Sequence, residues 1–528
     1  MSLLLFIRNW LAKNRKYLVV LIGVTFFAYF QTLRNGFVAD DIRGVLKNND
    51  LGNFRPVLSQ PFYFVQPLLY YFQYIFFDKS PLVFHLDNLL FHTANVLAVF
   101  ALAQHFAGKR TAFLTALLFA VHPLLSEAVI YVSAGSFVRA TFFLLTAWLL
   151  HLAFRKKKIA AYHYLATGLF VLAAASSVQV LVFPFILVLY ELLKKKSSRE
   201  ILLTTRLFFL ISFIWGSKLA FSVPARLRDL NMLSPQPSVF YYPWLQIPYA
   251  VSTYLKLFLS PLVLTINYQA FDNASLMSFF LTIIFIASLV VAFFKNKTIF
   301  FFLLSFPLML SPTLLPVRLA SVVAERYFYP AAFGLCFIAG YFFDSFISLH
   351  NLTAKLTFVL LVILLADRTG MRTRDWQNEH IFWTKTVNAS PLSFAGHYQL
   401  AKVYFAENNY EDAKTELETV IRLAPRFASA YEDLGLVYEK FADNARAYLL
   451  YLTALSLNQS LIKSPQNISS LLYRRGNLSE AERYARIALS NSPNSPDLLR
   501  NLATILFKEN KVGEAQALLF RTATIAVP

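Results

Sequence analysis

The chain has 528 residues, of which 57% are hydrophobic and 15% charged, and its mean hydropathy is +0.51. Soluble domains are about half apolar and about a quarter charged, so an ordinary soluble protein is excluded. The net charge of +20 suggests a nucleic-acid partner, but residues 1–388 hold 34 Lys and Arg against 15 Asp and Glu, whereas residues 389–528 hold 15 against 14. Because the excess lies in the apolar part, where basic loops orient membrane helices, no nucleic-acid partner is expected.

A membrane-spanning helix needs about 20 mostly apolar residues. The apolar runs predict an all-α fold: a polytopic membrane helix bundle over 1–368, a linker at 369–389 and a helical solenoid over 390–528. About eleven spans are expected, at 17–33, 82–106, 111–131, 137–154, 159–175, 178–193, 201–220, 275–294, 298–315, 329–348 and 355–367.

Clusters of basic residues recur in alternate loops, as in Lys109-Arg110 and Arg155 to Lys158. The positive-inside rule then predicts an integral, multi-pass protein with a cytoplasmic amino terminus, and eleven spans place the carboxyl-terminal solenoid outside the cytoplasm. Two long outer loops follow, at 34–81 and 221–274. The first is rich in Phe, Tyr and Pro and predicts short interfacial helices. The stretch 243–266 is broken by prolines and is interpreted as interfacial or re-entrant.

Four alanines in the carboxyl-terminal part are spaced by 34 residues: Ala413, Ala447, Ala481 and Ala515. This period resembles that of tetratricopeptide repeats, in which small residues let two helices approach closely. The spacing predicts three to four repeats, with the second, around residues 444–457, departing most from the pattern. Such solenoids bind extended partners in a concave groove, and no catalytic constellation is present in this part.

Acidic residues are scarce in the apolar part, so those on the predicted outer face are candidate functional residues. Asp40 and Asp41 follow the first apolar run, and a carboxylate at the membrane surface can act as general base for a hydroxyl acceptor. A solvated turn or helix cap is the alternative. Glu127, with His122 close before it, is either a second, acceptor-facing acid or part of a buried polar cluster beside a proline kink.

His85, Asn88 and His92 share one helix face, together with Asn95. The two histidines are seven residues apart, about 10 Å along a helix axis, which is long for two ligands of one ion. Interhelical hydrogen bonding is therefore preferred, and although a divalent metal is possible, none is indicated.

A last cluster surrounds Arg326, with Arg318 before it and Glu325 and Tyr327 beside it. The planar guanidinium suits phosphate binding better than an ammonium does. Lys218, near the outer end of the seventh run, could add positive charge to the same pocket. A plain structural pair between Glu325 and Arg326 is the alternative.

Taken in order, these pieces resemble the transmembrane and tetratricopeptide-repeat-containing O-mannosyltransferases and their bacterial relatives, within the C-type glycosyltransferase superfamily. One departure is that the family's arginine after the Glu127 segment is replaced by Gly135-Ser136, with Arg139 displaced. The matching pieces are 35–41, 85–95, 122–127, 254–268, 324–327 and 374–376, leading into the repeats.

The resemblance implies a polyprenyl-phosphate-linked sugar as donor and a catalytic acid in the first outer loop, at Asp40-Asp41. The resulting hypothesis is an inverting glycosyltransferase of a bacterial inner membrane that modifies Ser or Thr hydroxyls of exported proteins. In it, Asp40 is the base, Asp41 shapes the site, and Arg326, Arg318 and Lys218 hold the donor phosphate. Two alternatives stay open: an envelope glycan or lipid as acceptor, and a non-catalytic membrane anchor whose repeats scaffold an assembly.

Overall fold

The computed structural model describes residues 3–233, 243–266, 268, 276–314 and 323–525. Every regular element in these ranges is a helix, which confirms the predicted all-α class. The chain forms two compact units, Met1–Lys385 and Thr386–Pro528.

The first unit is built from helices that are mostly apolar. They are α1 Leu3–Tyr29, α2 Arg55–Ser59, α3 Val65–Phe77, α4 Pro81–Phe106, α5 Lys109–Val121, α6 Ser126–Ile130, α7 Gly135–Lys157, α8 Ala160–Ser176, α9 Phe183–Leu193, α10 Ser198–Leu233, α11 Pro243–Leu259, α12 Leu276–Lys295, α13 Lys297–Leu310, α14 Glu325–Phe328, α15 Ala332–Arg374 and α16 Glu379–Ala389. Helices α2 and α3 are the short helices expected in the first loop.

Six helical stretches in the described residues are long and apolar enough to cross a membrane: Arg8–Arg34, Pro81–Phe106, Val132–Lys157, Ser198–Pro224, Met277–Lys295 and Glu325–Ser348. A seventh arises if Lys109–Val121 and Pro123–Ile130, bent by 57° at His122, form one span. Three predicted spans, at 159–175, 178–193 and 298–315, are apolar helices of fewer than 18 residues. The bundle is thus present, whereas the number of eleven spans stays a prediction.

All residues of α15 from Ala332 to Arg374 are helical, yet the chain reverses direction within this stretch. The rings of Phe343 and Phe358 lie 5.0 Å apart, whereas 15 residues of straight helix would separate them by about 22 Å. Asp344 accepts a hydrogen bond from Arg110 at the start of α5, and Thr369 donates to the Val121 carbonyl at its end, at 2.7 Å. Two antiparallel arms therefore pack along α5, in agreement with the predicted pair 329–348 and 355–367.

The two ends of the bundle differ in their charged residues. The end that carries Asp40 also holds Glu127, Glu325 and the last turn of α15, and we call it the acceptor end, after the hydroxyl acceptor that the sequence predicts there. The basic residues Arg110, Arg155 and Lys297 lie at the opposite end, because α5 and α13 begin there and α7 ends there. The segregation of the basic loops thus follows the alternation in the sequence.

The predicted linker, 369–389, requires a correction. Thr373 and Trp376 are buried within the first unit, and the Asn35 side-chain amide donates to the Thr373 carbonyl at 2.8 Å. The boundary between the two units falls at Lys385 and Thr386 rather than at residue 368. Apolar residues such as Trp376 and Phe382 complete the core of the first unit, which explains why this stretch is not a free connection.

The second unit contains four helix pairs after α16. They are α17 Phe394–Ala406 with α18 Tyr410–Leu423, α19 Ala428–Lys440 with α20 Asn444–Leu457, α21 Lys463–Arg474 with α22 Leu478–Asn491, and α23 Pro496–Lys508 with α24 Val512–Ile525. The four alanines spaced by 34 are completely buried. The second pair, which departs most in sequence, adopts the same arrangement.

The turn between the two helices of each pair contains a residue with positive φ that recurs every 34 positions. Asn408, Ala442, Gly476 and Asn510, again spaced by 34, have φ between 59° and 78°. The residue after three of them caps the next helix: the side chains of Asn409, Asp443 and Asn477 accept hydrogen bonds from the backbone three residues on. Such caps satisfy otherwise unpaired amides and fix the start of each second helix.

Candidate functional site

Asp41 is held in place by the turn that follows α6. The backbone N–H and the hydroxyl of Ser133 donate to its Oδ1 at 2.7 Å and 2.5 Å, and the Val132 N–H donates to Oδ2 at 3.3 Å. Asp41 is fully buried, and this burial raises the pKa of its carboxyl to about 7, against the opposing effect of the three donors. The side chain thus anchors the first loop and has little access to an acceptor.

Asp40, its neighbour, is exposed and lines an open cleft of about 750 Å³. A single-turn π-helix, Ile42–Leu46, follows directly and brings two cationic side chains to the cleft, Arg43 and Lys47. Asn48, Asn49, Asp50 and Ser133 complete its lining. Two adjacent carboxylates therefore have two environments, and only that of Asp40 is open to a substrate.

Glu127 and Arg326 form an ion pair across the acceptor end. The guanidinium of Arg326 donates to Glu127 Oε1, and its backbone N–H donates to Oε2 at 3.3 Å. The Glu127 side chain is fully buried, whereas that of Arg326 is 20% exposed. The predicted acceptor-facing acid and the predicted phosphate-binding arginine thus satisfy each other.

Glu325 is paired with a residue that the sequence did not single out. Its Oε1 accepts a hydrogen bond from Tyr268 at 2.9 Å and from Arg372 at 3.3 Å, and both charged side chains are buried. The alternative of a structural pair between Glu325 and Arg326 is not observed, because the two side chains take separate partners.

The Tyr327 ring lies against the Arg326 guanidinium at 5.1 Å. Its carbonyl accepts a hydrogen bond from Gln179 at 2.5 Å. Tyr254 binds the backbone of Ala324 on both sides, donating to its carbonyl and accepting from its N–H. These bonds fix the backbone on both sides of the Glu325–Arg326 pair.

The histidines at this end make hydrogen bonds to other segments. His122 accepts from the Leu124 N–H and donates to the Phe258 carbonyl at 2.9 Å, and its ring stacks on Phe258. Both ring nitrogens of His122 are therefore engaged by the backbone.

The proposed supporting residues on α4 behave in the same way. His92 bonds the Tyr329 hydroxyl at 2.7 Å, His85 contacts the Gly36 carbonyl at 3.4 Å, and the Asn88 amide donates to the Tyr131 carbonyl at 3.1 Å. These hydrogen bonds join α4 to other segments of the first unit. Across the part of the chain that the structure describes, no group of three or more His, Cys, Asp or Glu side chains is arranged to hold a metal ion.

Lys218 and Arg318 are the two other residues predicted to bind the donor phosphate. Lys218 lies exposed on α10. Arg318 lies outside the described residues.

Two side chains at the acceptor end, Tyr131 and Ser133, were not predicted from the sequence, and Arg139 was named there only as a displaced arginine. The Tyr131 hydroxyl accepts from the Asp40 N–H at 3.1 Å. Ser133 holds Asp41, and the displaced Arg139 is buried on Asp87 at 2.7 Å. The missing family arginine drew attention to Arg139, whereas no motif in the neighbouring sequence points to Tyr131 or Ser133.

Comparisons with known proteins agree with this architecture. Two family models match the second unit: a TPR repeat over residues 401–440 and a tetratricopeptide repeat over residues 467–528. Over most of the chain the similar proteins are O-mannosyltransferases. A protein O-mannosyl-transferase of Caenorhabditis elegans, F38B6.6, is 24% identical over 78% of this chain and 63% of its own length.

The protein O-mannosyl-transferases TMTC3 of mouse and human are each 22% identical over 94% of this chain and cover 62% and 63% of their own length. The resemblance expected from the ordered motifs is thereby confirmed. The chain spans about three-fifths of the length of these relatives.

Solved structures match parts of this chain at low TM-scores. The crystal structure of MamA is 17% identical with a TM-score of 0.26 and covers 27% of this chain and 84% of its own. YrrB, described as a TPR protein with an unusual peptide-binding site, is 18% identical with a TM-score of 0.25 and covers 35% of this chain and 92% of its own. The helix pairs themselves define the solenoid here.

Proposed function

We propose that this protein is a membrane-embedded glycosyltransferase that moves a sugar from a polyprenyl-phosphate carrier to a Ser or Thr hydroxyl of a protein. The similarity to O-mannosyltransferases over most of the chain supports glycosyl transfer to protein. The observation that carries the proposal is the exposed Asp40 at an open cleft, directly beside the buried Asp41.

In the proposed step, Asp40 accepts the proton of the acceptor hydroxyl while the hydroxyl oxygen attacks the anomeric carbon of the sugar. The bond from that carbon to the phosphate oxygen breaks, its electron pair leaves with the lipid phosphate, and the configuration at the carbon inverts. A base near the membrane surface must stay ionised to work. Asp40 is exposed to solvent, whereas the burial of Asp41 disfavours the charged form of its carboxyl.

The developing negative charge lies on the leaving phosphate, so cationic groups close to the cleft would stabilise the transition state. Arg326 remains our candidate because one-fifth of its side chain is exposed even though it is paired with Glu127. Arg318 and Lys218 stay proposals of the same kind. Arg43 and Lys47 line the Asp40 cleft itself and add positive charge there.

We place the acceptor end outside the cytoplasm, in a bacterial inner membrane, with the amino terminus inside. The support is the location of Arg110, Arg155 and Lys297 at the opposite end of the bundle, which the positive-inside rule assigns to the cytoplasm. The chain leaves the first unit after a segment that packs at the acceptor end. In our proposal, the repeats recruit or orient the acceptor protein.

The test uses purified full-length protein in nanodiscs, synthetic polyprenyl-phosphate mannose and two acceptors, a Ser/Thr-rich peptide and a lipid-linked oligosaccharide. Transfer to the peptide supports the proposal, and transfer only to the oligosaccharide supports a glycan acceptor. No transfer to either, with wild-type behaviour of Asp40→Asn in cells, supports the scaffold alternative. A parallel sample with chelator determines whether a divalent metal is needed.

A further inference from the structure

The segment 373–379, which runs from the end of α15 to the first residue of α16, packs directly against the loop that carries Asp40. We call it the Trp376 segment. About 340 residues of chain separate the two partners in each of the three hydrogen bonds that join them. The bonds are Asn35 Nδ2 to the Thr373 carbonyl at 2.8 Å, the Gly36 N–H to the Gln377 carbonyl at 3.0 Å, and the Ala39 N–H to Glu379 Oε1 at 3.3 Å.

A ring contact reaches the same loop from the other side. Trp376 is 1% exposed, and its ring centroid lies 5.2 Å from that of Tyr131. The Tyr131 hydroxyl in turn accepts the hydrogen bond from the Asp40 N–H. Trp376 therefore packs against the Tyr131 ring, and the Tyr131 hydroxyl binds the Asp40 backbone.

The residue between these two supports has a costly conformation. Ala39 has φ of 52°, in the left-handed region that side chains other than glycine rarely adopt. Such a conformation costs about 1–3 kcal/mol and persists only where neighbouring structure enforces it. Glu379 accepts the Ala39 N–H, and Tyr131 accepts the next N–H along the chain, so the strained peptide is fixed on both sides.

We propose that Glu379 and Trp376 are positioning residues of the transfer reaction, which hold the peptide of Ala39 and Asp40 so that the Asp40 carboxylate points into the cleft. This inference rests on the proposed function. Neither residue lines the cleft: Glu379 accepts the Ala39 N–H, and Trp376 acts through Tyr131. The stretch expected to be a linker is thus part of the site.

Glu379 offers a matched pair of variants. Glu379→Gln keeps a side-chain oxygen that can accept the Ala39 N–H, whereas Glu379→Ala removes it. Glu411→Ala removes an exposed acid from the first turn of α18 and controls for the loss of a helix-terminal charge. All three variants are made in the full-length chain.

Hydrogen–deuterium exchange in nanodiscs tests the placement without any activity. In Glu379→Ala, we expect amides of the peptide covering residues 37–47 to exchange about tenfold faster, the factor for losing one hydrogen bond of about 1.4 kcal/mol. Glu379→Gln and Glu411→Ala should match the wild type. Unchanged exchange at 37–47 in Glu379→Ala, or an equal increase throughout the first unit, would overturn the inference.

The mannose-transfer assay tests the consequence for catalysis. Glu379→Ala should lower kcat about tenfold at an unchanged KM for polyprenyl-phosphate mannose, and Glu379→Gln should restore it. A changed KM with unchanged kcat would contradict a positioning role. If the wild type transfers no mannose, the proposed function fails, whereas the exchange result still decides whether Glu379 fixes the loop.

Discussion

Two acidic segments at the acceptor end of the bundle differ in how their charges are satisfied. At the corner formed by Glu127 and Glu325, each acid is buried and bound to its own arginine, Arg326 or Arg372. In the first loop, Asp41 is buried on backbone donors, and Asp40 is exposed at a cleft. Buried, mutually paired charges hold segments together, whereas the exposed acid is available for proton transfer. We therefore propose proton transfer at the loop, and at the corner a structural ion pair whose partly exposed Arg326 stays our candidate for the donor phosphate.

The variant Asp40→Asn tests the proposed role of the exposed acid most strongly. We expect kcat for mannose transfer to fall by about 10²–10⁴, the usual contribution of a general base, with the KM for the donor unchanged. Asp50→Asn is the matched control, because Asp50 is exposed in the same cleft. If both variants lose activity equally, the cleft needs only its overall negative charge and Asp40 has no special role.

Substitutions at the corner should lower the free energy of unfolding. Glu127→Gln leaves the Arg326 guanidinium without its counter-charge, and breaking a buried pair costs about 3–5 kcal/mol. The double variant Glu127→Gln, Arg326→Gln should recover part of the loss, since no unpaired charge remains. Chemical unfolding of the full-length protein in detergent measures both variants. A single variant as stable as the wild type would show that this corner is not a structural pair.

A smaller effect is expected at Tyr131, which connects the two regions. Tyr131→Phe removes the hydroxyl that accepts the Asp40 N–H at 3.1 Å while keeping the ring against Trp376. One hydrogen bond of about 0.5–1.5 kcal/mol corresponds to a loss in kcat of up to about tenfold. Tyr71→Phe, whose half-buried ring packs against Phe54, serves as control and should be fully active. Equal kcat values for the two variants would remove Tyr131 from the site.

Asp41 should make the stability of the protein depend on pH. Burial raises its pKa from the ordinary value of 3.8 to about 7, so the folded state binds the proton more tightly than the unfolded state. The stabilisation is complete below the unfolded pKa and is lost as pH rises through about 7. Relative to Asp41→Asn, the free energy of unfolding of the wild type should therefore decline over this window. Parallel pH profiles would contradict the buried, protonatable state.

The helices, the repeats and the loop that carries the acids could be predicted from the sequence. Apolar runs predict the helices, and the spacing of 34 residues predicts the repeats because each signal lies within one local stretch. The pairing at the corner was not predictable, since Glu127 and Arg326 are 199 residues apart and many partners were possible. For the same reason, the 369–389 stretch was expected to be a linker. Its contacts with Gly36 and Ala39 form only when the bundle closes.

The most direct test of the account is mass spectrometry of a Ser/Thr-rich peptide after incubation with polyprenyl-phosphate mannose and full-length protein in nanodiscs. The account predicts one added hexose on a hydroxyl with the wild type, the same product with Asp50→Asn and product formed about 10²–10⁴ times more slowly with Asp40→Asn. An unmodified peptide with the wild type, or equal hexose addition by Asp40→Asn, would contradict it.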